Sequence, residues 1–261
     1  MSALPGTTGR RRIYLMRHGF VDYTSKRVRE AQDPSLAYLT EQGREEASAA
    51  GAALADVPFD LAFHTGLDRT RETAEIVLSH ARTPPNLETE SRFQELKSGQ
   101  YIDFKSAEQL AATMTFQFEQ AGEPGATFLP GGELFAHAML RIEAGMQALL
   151  ARPNWSRALI VAHEGINRML LSWVIGAPLG ASSGFEQDTG CINIIDFDLV
   201  PLDAGTSTTP DDGARHLLST EDVTVERAVI KSVNLTPANY LKHGMNLRSL
   251  EAIFTAPRED E

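Results

Sequence analysis

The stretch of sequence that decides the fold is Ile13-Tyr14-Leu15-Met16-Arg17-His18-Gly19. Its apolar run is typical of a buried strand, and the basic residues and glycine that follow end that strand. A second stretch repeats the arrangement, since the apolar run 158–162 precedes His163-Glu164-Gly165 and a helical pattern that reaches Ile175. Carboxyl ends of parallel strands meet at one edge of a sheet, where α/β proteins bind ligands. We therefore expect His18 and His163 at the same edge.

The rest of the chain alternates between helical and strand patterns. Thr40 is predicted to cap a helix whose apolar face holds Ala47, Ala50 and Leu54. Further strands are predicted at 60–64, 191–197 and 223–233, further helices at 67–78, 105–120 and 133–150, and an irregular loop at 20–38. This alternation predicts an α/β fold, a three-layer α/β/α sandwich with a mainly parallel sheet.

Length and composition indicate one domain. The chain has 261 residues, enough for one large α/β domain. We assign residues 12–261 to it, with an insertion around 201–222 rich in Gly, Thr, Pro and Asp, and residues 1–11 to a disordered lead-in. The lead-in lacks the apolar segment of a secretory signal, and Cys191 is the only cysteine. We therefore expect a cytoplasmic protein with one buried structural thiol.

Charge and hydropathy argue against two classes of partner. The net charge of −11 is unlike that of a general nucleic-acid-binding protein, which shows a basic face. No apolar stretch is long enough to cross a bilayer, so no membrane partner is expected. An acidic protein that binds an anion must gather its basic groups in one pocket.

The basic residues of the two strand ends have the chemistry for phosphoryl transfer. His18 could attack phosphorus and form a phosphoramidate that water later cleaves. Arg17, and Arg69 in the first turns of the helix predicted at 67–78, carry planar forks of donors that clamp phosphate oxygens. Gly19 would let the backbone approach a ligand closely. His163 could stabilise the charge that develops during transfer.

The order of these motifs resembles that of the histidine phosphatase superfamily, in its phosphoglycerate mutase-like branch. The resemblance covers residues 12–198. It is carried by Arg17-His18-Gly19, Leu39-Thr40-Glu41-Gln42-Gly43-Arg44, Leu67-x-Arg69-x-x-x-Thr73-Ala74, Glu95-x-x-x-Gly99, Pro130-Gly131-Gly132-Glu133 with Arg141, and Val161-Ala162-His163. Each motif alone is weak evidence, whereas all of them in the family order are strong evidence.

The resemblance implies a mechanism as well as a fold. His18 would be the nucleophile that carries the phosphoryl group, and Arg17, Arg69 and His163 would bind that group. Glu95 would protonate the leaving oxygen. The implied enzyme is a phosphoric monoester hydrolase that acts on a small phosphorylated metabolite and needs neither a metal nor another cofactor.

One departure from the family pattern concerns the residue after Gly19. The family usually has Glu or Gln there, and this chain has Phe20. Phe20 would either line an apolar substrate pocket or pack in the core. The loss of polar groups in this stretch argues against the main alternative, a phosphotransferase of the phosphoglycerate mutase type. A catalytically silent binding or regulatory protein of the same fold is the other alternative, and the intact basic residues argue against it.

A second departure is Glu164, which follows His163 where the mutases have glycine. In the acid-phosphatase branch an acidic residue near this position is the proton donor, so Glu164 rivals Glu95. Glu164 could instead favour the start of the following helix electrostatically. A zinc-protease motif would need a histidine four residues after His163, where Asn167 stands, and so no metal site is predicted. The strand at 223–233, if at an edge, would permit a homodimer.

Overall fold

The computed structural model describes residues 9–23, 25–99, 113, 116–201, 218–219 and 223–237. The strands are β1 (Gly9–Arg17), β2 (Leu61–His64), β3 (Leu87–Thr89), β4 (Arg157–Ala162), β5 (Ile192–Pro201), β6 (Leu218–Ser219) and β7 (Val223–Leu235). The α-helices are α1 (Lys26–Ala31), α2 (Glu41–Leu54), α3 (Asp68–Ser79), α4 (Phe135–Ala151) and α5 (Glu164–Val174), with short 3-10 helices at Pro34–Leu36, Ser91–Phe93 and Leu179–Gly184.

The strands form one mixed sheet in the order β3-β2-β4-β1-β5-β7-β6. From β3 to β1 all pairings are parallel, whereas β5, β7 and β6 pair antiparallel. The predicted α/β class is confirmed, and the parallel arrangement holds for the half of the sheet that includes β1 and β4. A crossover helix imposes parallel pairing, whereas an apolar strand such as β5 carries no signal of its direction.

Helices cover both faces of the sheet, as the three-layer prediction requires. Ile13 and Leu15 of β1 share a buried cluster with side chains of α4 and α5. Tyr14 and Met16 point to the other face and pack with side chains of α2 and α3. The alternation of these four side chains follows from the two-residue period of a strand. Thr40 caps α2 as predicted, since its hydroxyl accepts from the backbone N–H of Gly43 at 3.1 Å.

The first strand begins earlier than the sequence pattern predicts. It starts at Gly9 rather than Ile13, so residues 9–11 belong to the sheet and not to a disordered lead-in. The reason is charge pairing with the neighbouring strand β5. The Nε atoms of Arg10 and Arg12 lie 2.7 and 2.6 Å from carboxylate oxygens of Asp198 and Asp196, respectively. A polar strand segment is stable beside a neighbouring strand that carries the opposite charge.

Other boundaries also differ from the predictions. The loop predicted at 20–38 contains α1 and the 3-10 helix Pro34–Leu36. Most of the helix predicted at 105–120 and most of the insertion predicted at 201–222 lie outside the described residues, and residues 117–120 of that helix form turns instead. Leu218–Ser219 of that insertion pairs with Thr224 and Val225 of β7. None of the helices in the described ranges combines the length and the apolar character that a membrane span requires.

Asp198 should make the fold sensitive to acid. It is 2% exposed, and although burial alone would raise its pKa, hydrogen bonds with Arg10 and Arg227 lower it. Such a carboxylate stabilises the fold above its unfolded pKa of about 3.9, and this contribution is lost as the pH falls through the lower folded pKa. We expect Asp198→Asn to lower the free energy of unfolding at neutral pH by about 1–3 kcal/mol.

Urea denaturation of wild type and Asp198→Asn measures this difference at neutral pH and in acid. The two proteins should converge as the pH drops below about 4. Asp56→Asn is the matched control, since Asp56 pairs with Arg82 on the surface with both side chains 85% exposed, and it should change little at either pH. A difference for Asp198→Asn that stays constant in acid would refute the prediction.

Candidate active site

The register of two parallel strands brings the predicted histidines together. Arg17 at the end of β1 is paired with Ala162 at the end of β4. The backbone N–H of His18 donates to the carbonyl of Ala162 at 3.1 Å. The rings of His18 and His163 lie edge to face with centroids 5.3 Å apart, and both residues are buried. The expected common edge is therefore present.

The hydrogen bonds of His18 fix which ring nitrogen holds the proton. Its Nδ1 lies 2.8 Å from the carbonyl oxygen of Gly19, which can only accept, so Nδ1 carries the hydrogen. Burial, reinforced by Arg69 and Arg17, lowers the pKa of His18 well below its usual value. The ring is therefore neutral near pH 7, and Nε2 presents a lone pair.

Arg69 donates a hydrogen bond to that lone pair. It lies in the first turn of α3 and is 3% exposed, and its Nε donates to Nε2 of His18 at 3.2 Å. Its Nη1 donates to the carbonyl of Ser35 at 3.2 Å, which orients the guanidinium from the opposite side. The hydroxyl of Thr73 joins the two elements, because it donates to the carbonyl of Arg69 and accepts from the N–H of Gly19.

Arg17 is the second buried guanidinium at this edge. It is 6% exposed, its Nη1 donates to the carbonyl of Gln187, and its Nη2 lies 3.1 Å from Oε2 of Glu164. Gln187 belongs to a buried polar network, since its side-chain oxygen accepts from Asn193 and Asn167. Arg17 is thus anchored by contacts from two segments of the chain.

His163 is completely buried, and both arginines are close enough to affect its charge. Its Nε2 lies 2.9 Å from the hydroxyl of Thr65, and its Nδ1 has no hydrogen-bond partner among the described residues. Burial, together with the nearby cation of Arg69, lowers its pKa well below the usual value. The sequence patterns do not single out Thr65. The side chain of the preceding residue, His64, accepts from the N–H of Gly66 and contacts Thr89.

Glu95 reaches the site from the segment before α4. Its Oε1 accepts from the N–H of Leu96 at 3.0 Å, and its Oε2 accepts from the N–H of Gly165 at 3.4 Å. Burial raises the pKa of Glu95, although these N–H groups and Arg69 oppose the shift. A carboxyl group with a raised pKa keeps a proton available, which is what a general acid requires.

Glu164 is engaged by two arginines. Its Oε1 binds Arg168 one turn along α5 at 2.7 Å, and its Oε2 binds Arg17. Both carboxylate oxygens therefore accept from guanidinium groups, and Glu164 orients Arg17. These ion pairs give a structural reason for an acidic residue after His163.

Arg141 fixes the segment that bears Glu95. It forms a two-pronged ion pair with Glu133, in which both contacts are 2.8 Å. Its Nη1 also donates to the carbonyls of Arg92 and Gln94 at 2.6 and 2.7 Å. The sequence pointed to Glu133 and Arg141 only as parts of a family motif, and the structure shows that they hold the backbone on which Glu95 stands.

Two glycines are required by packing. A Cβ on Gly19 would overlap the backbone of Gly43 on α2, so helix packing requires a residue without a side chain there. A Cβ on Gly165 would lie 2.8 Å from Oε1 of Glu95. Gly165 therefore leaves space for the side chain of Glu95.

Phe20 is half-buried, and its backbone N–H donates to Glu46 at 2.9 Å.

The structure also bears on two further kinds of site, a reactive cysteine and a metal centre. Cys191 is fully buried, and burial raises its pKa to about 12, so the predicted structural thiol is confirmed. Within the described part of the chain, His, Cys, Asp and Glu residues form no cluster suited to a metal ion. The structure thus brings together at one edge of the sheet two guanidinium groups, two neutral imidazoles and a carboxyl group of raised pKa.

A family model described as the histidine phosphatase superfamily (branch 1) matches residues 13–199. Among curated proteins, a probable phosphoglycerate mutase from Erwinia tasmaniensis is 28% identical over 193 residues, which cover 72% of this chain and 86% of the relative. An adenosylcobalamin/alpha-ribazole phosphatase from Salmonella typhi is 27% identical over 191 residues, which cover 71% of this chain and 90% of the relative.

Solved structures share the fold. A mycobacterial glucosyl-3-phosphoglycerate phosphatase, in complex with VO3, superposes with a TM-score of 0.62 at 19% identity, covering 86% of this chain and 99% of the other. A putative alpha-ribazole-5'-P phosphatase from Escherichia coli gives a TM-score of 0.59 at 21% identity, with 86% of this chain and 96% of the other covered.

Proposed function

The chain belongs to branch 1 of the histidine phosphatase superfamily, and from that membership we propose that it hydrolyses a phosphate monoester through a phosphohistidine intermediate on His18. The observation that carries the proposal is the state of His18. Its proton is held on Nδ1 by the carbonyl of Gly19, so Nε2 faces the guanidinium of Arg69 as a neutral nucleophile. A nucleophile beside fixed cations is what transfer from a phosphate dianion requires.

In the first step the ester binds with its phosphoryl oxygens on Arg17, Arg69 and His163. Nε2 of His18 attacks phosphorus, the N–P bond forms, and the bond to the ester oxygen breaks. The arginines spread the negative charge of the transferring group over several donors. Glu95 gives its proton to the leaving oxygen, which departs as an alcohol.

In the second step water replaces the alcohol. Glu95, now a carboxylate, takes a proton from the water as its oxygen attacks phosphorus. The N–P bond breaks, phosphate leaves, and His18 and Glu95 return to their starting states. Each step uses only side chains of this chain, and the substrate we propose is a small phosphorylated metabolite.

We assign the proton to Glu95 rather than Glu164 on the basis of their partners. Both carboxylate oxygens of Glu164 are taken up by guanidinium groups, whereas Glu95 accepts from backbone N–H groups in the described part of the chain and its pKa is raised. Phe20 stands where the family usually has a polar residue, and this argues for hydrolysis over mutase-type transfer. A mutase must keep its product bound until the phosphoryl group is transferred back to it, and fewer polar groups are available here to do so.

The proposed function is tested with p-nitrophenyl phosphate in the presence of EDTA. We expect wild type to release p-nitrophenol and phosphate with many turnovers, at a rate that the chelator does not change. Absence of turnover would overturn the proposal. Release of p-nitrophenol with transfer of the phosphoryl group to 3-phosphoglycerate, in place of free phosphate, would favour the mutase alternative instead.

Gly165→Ala should weaken the enzyme by displacing Glu95. The new methyl group would lie 2.8 Å from Oε1 of Glu95, and a shift of about 1 Å in a catalytic group can cost on the order of 100-fold in rate. We expect kcat/KM for an alkyl phosphate to fall by about 10- to 100-fold. Gly184→Ala is the matched control, since a Cβ there meets no atom within 4 Å. Equal activities of the two variants would refute the prediction.

A further inference from the structure

His163 is held by a chain of hydroxyl groups whose hydrogens can be assigned from their partners. The hydroxyl of Thr70 lies 2.8 Å from the carbonyl of Leu67, which only accepts, so the hydrogen of Thr70 points there. The hydroxyl of Thr65, 3.0 Å from that of Thr70, must then donate to it. With its own hydrogen used, the oxygen of Thr65 can only accept from Nε2 of His163.

This chain of hydroxyls dictates where the proton of His163 resides. A neutral imidazole has one N–H, and Thr65 places it on Nε2. Nδ1 therefore carries a lone pair, and it has no hydrogen-bond partner in the described part of the structure. Thr65, Thr70 and His163 are all 0% exposed, so solvent does not offer the hydroxyls other partners.

The charged and titratable groups around His163 keep the ring neutral while the pocket is empty. Arg17 and His18 approach from the end of β1, Arg69 from α3 and Arg141 from α4, and burial together with these four groups lowers its pKa. Two carboxylates lie close by, Glu164 next in the chain and Glu95 against the N–H of Gly165, and Glu164 is itself neutralised by arginines.

The oxygens of a phosphoryl dianion carry no hydrogen and only accept hydrogen bonds, so one of them would meet a lone pair on Nδ1 as a repulsive contact. We infer that binding of a phosphoryl group adds one proton to Nδ1 of His163, and that Thr65 and Thr70 make this proton necessary by holding the other one on Nε2. The proton comes from solvent, and the resulting imidazolium donates to Thr65 and to the ligand. An anion beside the ring supplies the opposite charge that stabilises it.

The inference deepens the proposed function, since it rests on a phosphoryl group as the ligand of this pocket. Thr65 is a positioning residue here, because it acts through His163. The consequence is measurable without turnover: if one proton accompanies each bound anion, affinity should fall by about tenfold for each pH unit above neutrality.

Sulfate is the probe, because it is a tetrahedral dianion that carries no proton of its own at neutral pH. Calorimetric titration in buffers of different ionisation enthalpy counts the protons taken up on binding. Any proton that His18 takes up would be counted equally in each variant, so the comparison with Thr65→Val isolates His163. The valine removes the acceptor for Nε2, and the ring can then hold its single proton on Nδ1 and donate without uptake.

We expect wild type to take up about one proton more per bound sulfate than Thr65→Val, and Thr65→Ser to restore the wild-type count. Thr70→Val is a second variant with the same expected result, since it frees the hydroxyl of Thr65 to donate to Nε2. NMR spectra of protein labelled with ¹⁵N-histidine should show the proton of His163 on Nε2 in free wild type and on Nδ1 in Thr65→Val.

Sulfate binding with equal proton counts in wild type and Thr65→Val would overturn the inference and leave the proposed function intact. A proton on Nδ1 in free wild type would overturn it as well. Failure of wild type to bind sulfate, phosphate or substrate would count against the proposed function itself.

Discussion

His18→Ala is expected to lower kcat/KM for p-nitrophenyl phosphate by about 10⁴-fold or more, because the variant has no nitrogen with which to form the covalent intermediate. The remaining residues of the pocket would still bind the phosphoryl group, so a small residual rate above that in water is expected. Steady-state kinetics at neutral pH measure the loss. His80→Ala is the control, since His80 is an exposed histidine at the end of α3 and should retain wild-type kinetics.

The covalent intermediate provides an independent readout of the same prediction. Wild type mixed briefly with ³²P-labelled substrate and quenched in base should retain label in the protein as an acid-labile N–P bond. His18→Ala should retain none. Unchanged turnover by the variant, or label that persists in it, would show that another residue carries the phosphoryl group.

Glu95→Gln is expected to lower kcat/KM, which reports on the steps up to departure of the leaving group, in proportion to how much that group needs a proton. General acid catalysis contributes about 10²- to 10⁴-fold, and an alkyl phosphate should lose an amount in that range. p-Nitrophenyl phosphate, whose phenolate leaves unaided, should lose only a few-fold. Because the group with the raised pKa acts as the acid, kcat/KM of wild type for the alkyl ester should decline as the pH rises through that pKa. Glu95→Gln should lack this part of the decline and keep only the part that accompanies proton uptake on phosphoryl binding.

Glu164→Gln is the matched comparison. It weakens the ion pairs that orient Arg17 and Arg168, so both substrates should lose activity by similar factors. If the alkyl phosphate is instead affected selectively by Glu164→Gln, and both substrates equally by Glu95→Gln, then Glu164 is the proton donor.

Much of the site could be predicted because its residues stand at strand ends. The apolar runs before His18 and His163 specify two buried strands, and parallel pairing places their ends side by side. Arg69 follows a strand in the same manner, at the start of α3. In each case a local pattern places the side chain at a strand end, and the sheet topology brings those ends together.

The parts that could not be predicted depend on contacts between distant segments. Thr65 meets His163 across 98 positions of sequence, and its role follows only from the hydroxyl of Thr70 behind it. The carbonyls that Arg141 binds are backbone groups, which leave no trace in the pattern of side chains. The close approach expected of a ligand at Gly19 stays a prediction, and the neighbour that the structure shows there is the backbone of Gly43 on α2, a contact between distant segments.

The hydrogen bond from Arg69 to Nε2 of His18 bears on the chemoselectivity of the proposed reaction. Before His18 can attack, Arg69 must turn its N–H groups towards something that binds them better than an imidazole lone pair, and a phosphate dianion does so. An uncharged electrophile offers no such exchange. With a neutral ester, Nε2 of His18 should therefore stay hydrogen-bonded to Arg69 and unable to attack. We expect p-nitrophenyl acetate to remain intact under conditions in which p-nitrophenyl phosphate is consumed. Comparable rates for the two esters would show that this hydrogen bond does not limit attack.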